Sequence, residues 1–131
     1  MDLLLFERRE TPLSEAKKAI VIFHCAEKIK SYLILTTNLL ECLNSMEENE
    51  ILGAEKLLVA YFNALIREVN IATNVFGVQG FQGVNAKLEE AIEQTKQHNY
   101  ASAVKLLSEA ISITTTNGNN AAETLKERGL I

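Results

Sequence analysis

Tryptophan is missing from this 131-residue chain, proline occurs once, and aromatic residues make up 6% of the composition. Strands draw on aromatic and β-branched residues in short alternating runs, and no stretch alternates for long enough to build a sheet. The shortage points to helices. Cysteine is scarce as well. The two present, Cys25 and Cys42, fall on one predicted helix, about 25 Å apart against the roughly 7 Å between Cα atoms that a disulfide tolerates. They read as reduced, buried thiols, which suits a cytoplasmic location.

Two histidines give little scope for a metal centre. No HxxxH, HExxH or ExxH spacing occurs, so neither a metal nor a cofactor is expected. Long basic runs are missing too, and with a formal charge of -4 the chain offers no field for a phosphate backbone. Nucleic acid is not an expected partner. The opening MDLLLFERRE carries an acid at position 2 and a short apolar run, too short for a signal peptide or a span. No other apolar run reaches membrane length, so the expectation is a soluble, cytoplasmic protein without a membrane partner.

What the chain does have is apolar content, 47% over a length that fits one ordinary core. A single domain spanning residues 1–131 is expected. Within residues 51–76, Leu58, Phe62, Leu65, Val69, Ala72 and Phe76 recur at alternating steps of four and three, the spacing of a helical seam. Leu57, Tyr61, Ala64, Ile71 and Val75 flank it on one side, and Val59 and Ile66 on the other. Only Lys56, Asn63, Arg67, Asn70 and Asn74 form a polar stripe, about 60° wide. A helix apolar over most of its circumference is expected to be surrounded, and so to lie at the centre of the fold.

The remaining segments fall around it. Thr11 and Pro12 make an N-cap and first-turn pair for a long helix over residues 12–46. Its seam is predicted along Ile22, Cys25, Ile29, Tyr32, Thr36, Leu39 and Leu43, with His24, Glu27, Lys28, Ser31, Asn38, Glu41 and Ser45 on the solvent side. An acidic turn over residues 46–50 follows, with Asn49 as the next cap. The glycines of GVQGFQG, residues 77–83, predict a helix end and an irregular loop that turns Val78 and Phe81 onto the bundle. Asn85 is expected to cap a shorter helix to residue 97. The apolar stripes before and after His98 are about 120° out of phase, so a turn is expected there and a fourth helix over residues 99–115. TTTNGNN, residues 114–120, reads as loop, and Asn120 with Glu123 as the start of a last short helix. The fold class is all-α: an antiparallel helical bundle of four main helices, two long and two shorter, plus short terminal helices.

Residues 96–113, KQHNYASAVKLLSEAISI, resemble the turn and second helix of a tetratricopeptide hairpin. Asn99 and Tyr100 stand at the turn, Ala103 at the small-residue position, and Ala110 with Ile111 near the end. The resemblance implies a close helical hairpin. It does not extend upstream into residues 85–95, and no second copy follows at the family's period of about 34.

Two irregularities carry the candidate site. Glu68 falls within the apolar arc of helix 51–76, between Tyr61, Leu65 and Ile71, where a carboxylate either is buried with a partner or sits at the edge of the arc and reaches a lysine or water. Asn63, Arg67, Asn70 and Asn74 are the second, since three asparagines beside an arginine are costly in a helix. Together with Glu68 they are the candidate ligand-binding residues of a small-ligand or enzymatic bundle. No catalytic residues are assigned: Cys25 lies on a seam, where a thiol is inert, and GVQGFQG lacks the lysine and strand context of a phosphate loop. The leading expectation is a non-catalytic protein-interaction or oligomerisation module, whose partner, a second copy or another protein, is met through exposed apolar surface such as Leu3, Leu4, Leu5 and Phe6.

Overall fold

The computed structural model describes residues 12–131, with side chains from Ser14 onward. The Thr11 cap and the placement of Leu3, Leu4, Leu5 and Phe6 lie outside the described residues. Four helices follow one another: α1 (Pro12–Cys42), α2 (Glu48–Asn74), α3 (Gln82–Lys96) and α4 (Tyr100–Glu127), with a 3-10 turn at Leu43–Ser45 between the first two. Among the described residues there is no strand. The fold is the all-α bundle its sequence pattern predicts.

Side-chain contacts fix the order around the bundle. Lys28 meets Glu68 between α1 and α2, Asn85 meets Asn70 between α2 and α3, and Lys87 meets Glu109 between α3 and α4. Glu15 pairs with Arg128 to close α4 back onto the start of α1. Each helix thus runs antiparallel to both neighbours. Leu33, Leu40, Phe62, Phe81, Leu88 and Leu107 fill the interior with no exposed surface.

Helix α2 is not the surrounded centre that its composition predicts. Its seam is buried through Leu58, Phe62, Leu65, Val69 and Ala72, but Leu57, Ile71, Val75 and Phe76 stand exposed. The most extensive helix pairing is instead between α1 and α4. Small residues explain it: Ala19 and Ala26 on α1 and Ala121 on α4 are buried, and a Cβ built on Gly118 would lie 3.1 Å from that of Ala26. Large α2 side chains such as Phe62 hold their neighbours farther off.

The α1 seam is rotated for the same reason. Ile29, Thr36 and Leu43 are buried as expected, but the rest of the buried row is Ala19, Ala26, Leu33 and Leu40. Cys25 and Tyr32 are half-buried and Leu39 is exposed, because they lie on the side turned to α2. The predicted solvent side of α1 is exposed throughout, from His24 to Ser45.

Segment 114–120 is a second correction, since it is helical: α4 runs on through it for 28 residues and absorbs the separate last helix expected from Asn120. Thr114 and Thr116 donate their hydroxyls to the carbonyls of Ala110 and Ser112, so side chains that favour loops are absorbed within the helix. Asn117 bonds the carbonyls of Ile113 and Gly80, tying α4 to the glycine loop. In that loop Val78 and Phe81 are buried, as their pattern predicts. The caps differ in detail. Helix α2 begins one residue before Asn49, with the Glu50 side chain accepting from the Glu47 amide at 3.1 Å, and Asn85 lies inside α3 rather than at its start.

Candidate functional site

The predicted site residues sit on two different sides of α2. Glu68 faces α1, where its carboxylate pairs with Lys28 Nζ at 3.5 Å and remains 42% exposed. The charge of Glu68 raises the Lys28 pKa. The hollow beside the pair, bounded by Cys25, Tyr32 and Ile71, measures about 50 Å³. Asn70 faces α3, accepting from Asn85 Nδ2 at 2.8 Å. Asn63, Arg67 and Asn74 are exposed on the same outer side. Glu68 and the asparagine-arginine stripe therefore do not converge on one point.

A polar cluster that the sequence reading passed over lies at the other end of α2. Glu55 is 7% exposed, and its Oε2 receives the Tyr100 hydroxyl and lies 2.7 Å from His98 Nδ1. Hydrogen bonding to a carboxylate oxygen assigns the proton to Nδ1. Burial, and then the Glu55 carboxylate it bonds, push the Tyr100 pKa from 10.0 up to about 12. His98 itself adopts φ 64, the left-handed conformation that glycine normally supplies after a helix. The amides of His98 and Asn99 bond back to the carbonyls of Thr95 and Gln94, completing the turn between α3 and α4. Glu55 thus fastens that turn to α2.

The cluster had a sequence signal. Extending the seam of Leu58, Phe62 and Leu65 one step towards the N-terminus lands on Glu55, a carboxylate in a core position. Chemically the trio works as a fastening, its three side chains bonded to one another across the boundary between α2 and the α3–α4 turn. Among the described residues no group of histidine, cysteine and acidic side chains is arranged to hold a metal.

The largest concavity lies elsewhere. Where the end of α1 meets the start of α2, Leu39, Cys42, Met46, Ala54, Leu57 and Tyr61 line an open groove of about 550 Å³. No charged side chain lines it. Leu57 is 75% exposed and Leu39 46%, so the two form apolar lips on its opposite walls. Leu58 and Leu43 close its floor, and none of the described residues closes its top. Cys42, expected to be buried, is instead a free, exposed thiol within it, because it stands at the open end of α1. Cys25, farther along the same side of α1, is half-buried, and burial pushes its thiol up against the opposing effect of Lys28.

Compared with known proteins, the chain matches no family model, no curated protein and no solved structure. Among the described residues no helix is long and apolar enough to cross a membrane.

Proposed function

We propose that this protein is a non-catalytic interaction module that self-associates through the groove between α1 and α2. The observation that carries the reading is the groove itself, an uncharged apolar trough with Leu39 and Leu57 raised on its two walls. Large apolar side chains gathered around a concavity cost free energy in water, and contiguous exposed patches of this kind mark association surfaces. Covering the Leu57 side chain alone contributes roughly 1.5–3 kcal/mol.

A small molecule is a poorer occupant. The groove is large enough, but ligand sites fix orientation with a few well-placed polar groups, and its walls carry almost none. The Glu68 hollow has polar groups but, at about 50 Å³, falls well below the roughly 300–1,000 Å³ of ligand pockets.

Light scattering coupled to size exclusion tests the reading. Wild type is expected to approach twice the 14.6 kDa of one chain as its concentration rises. Leu57→Asp is expected to remain at the mass of one chain, with a melting temperature close to wild type because the site is already in water. A wild type that stays monomeric at high concentration, or a Leu57→Asp variant that dimerises equally well, overturns the proposal.

A further inference from the structure

We infer that the groove is filled by the N-terminal arm, residues 3–9, of a second copy of this chain, exchanged reciprocally within a dimer. The inference rests on the interaction-module reading and adds the identity of the occupant.

Three observations converge on the arm. The first is chemical. Leu3, Leu4, Leu5 and Phe6 are four consecutive apolar side chains, and the groove is an uncharged trough walled by Leu39, Leu57 and Met46. Apolar side chains moved from water into such a trough supply the drive for association.

The second is charge. Arg8 and Arg9 follow Phe6 closely, between Glu7 and Glu10. At the groove end of the bundle, Glu41, Glu47, Glu48 and Glu50 are all exposed, and no lysine or arginine occurs between residues 31 and 55. An arm laid with its leucines in the trough can bring the arginine pair to this acidic rim, which fixes its direction.

The third is reach. The arm is joined to the far end of α1, and Leu39 lies about 40 Å along that helix from Pro12. The chain from Leu3 to Pro12 spans at most about 30 Å when fully extended. An arm therefore falls short of the groove on its own bundle. In a two-fold pair, with the α1–α2 faces apposed and antiparallel, the start of each α1 lies beside the groove of the other copy. Two equivalent arms then fill two equivalent grooves, and the assembly closes as a dimer.

The test has two parts on the full chain. Leu4→Asp with Leu5→Asp alters only the arm, and circular dichroism reports whether the bundle is intact. The expected result is an unchanged helical signal and a fall from dimer mass to the 14.6 kDa of one chain. The second part uses Leu5→Cys together with Cys25→Ser, leaving Cys42 as the one native thiol. Under oxidised glutathione this variant is expected to form a covalent dimer on a non-reducing gel, lost on reduction and on Cys42→Ser. A dimer that survives the arm substitutions but is lost in Leu57→Asp overturns the arm and leaves the module standing. An intrachain link between position 5 and Cys42 overturns the exchange. A wild type that never dimerises overturns both proposals at once.

Discussion

Glu55 shows how one residue can hold two elements together. A carboxylate at 7% exposure needs donors, and it finds them in Tyr100 and His98, from the turn that joins α3 to α4. Removing the Tyr100 hydroxyl leaves the buried oxygen with one donor fewer. Tyr100→Phe is therefore expected to cost roughly 1–3 kcal/mol at neutral pH, read by urea unfolding. The pH dependence follows from the same contact. Because the folded Tyr100 pKa is raised from 10.0 to about 12, the folded state holds this proton more tightly than the unfolded chain does. That stability is present in full below pH 10 and is lost as the pH rises towards 12. The difference between wild type and Tyr100→Phe should accordingly narrow over that interval. An equal difference at pH 7 and pH 11 would show that the hydroxyl does not titrate against Glu55.

At this scale the sequence was legible only in part. Glu68 is the acid whose helical angle places it at the border of the apolar arc, and of the two readings open to it the edge one holds: its carboxylate reaches Lys28 and solvent beside the α1–α2 contact. Glu55 was readable only by carrying the seam one step beyond Leu58. His98 could be placed in a turn by the phase shift of its neighbours, but its left-handed backbone could not, because the bond that accompanies it comes from a residue more than forty positions away.

Among the elements, the pairing of α1 with α4 was the least legible. Heptad periodicity weights large apolar residues, and this contact is made by small ones, Ala19, Ala26, Gly118 and Ala121. Glycine within TTTNGNN also reads locally as a loop, costing a helix about 1 kcal/mol relative to alanine. In the helix it faces Ala26, where an added Cβ would make a tight 3.1 Å contact, so glycine lets α1 and α4 meet without a shift. Gly118→Leu is expected to destabilise the bundle by roughly 1–3 kcal/mol through overpacking. Adding Ala26→Gly should recover part of the loss, measured by thermal unfolding. A tolerated leucine at that position would show that α1 and α4 are free to separate. The four main helices, the turn near His98 and the inward Val78 and Phe81 were readable in advance, since each rests on local pattern or backbone chemistry. Which helices share the most extensive contact does not rest on either.

For the molecule as a whole, the apolar surplus of α2 acquires a different meaning from the one its composition suggests. Its seam faces inward, while Leu57, Ile71 and Val75 form a stripe outside the core. Where that stripe meets Leu39 and Cys42, the two helices leave a trough that the described residues do not fill. The bundle is complete without covering it, which is why substitutions there should separate assembly from folding. Leu57→Asp tests that separation through mass.

Occupancy of the groove can be read more directly from Cys42, the exposed thiol in its wall. In a Cys25→Ser background, the rate of maleimide labelling at Cys42 is measured as protein concentration rises. The expected result is fast labelling in dilute solution that slows as copies associate, with Leu57→Asp remaining fast at every concentration. Labelling of the parent protein that stays equally fast across the whole range would contradict the claim that this groove is where the molecule assembles.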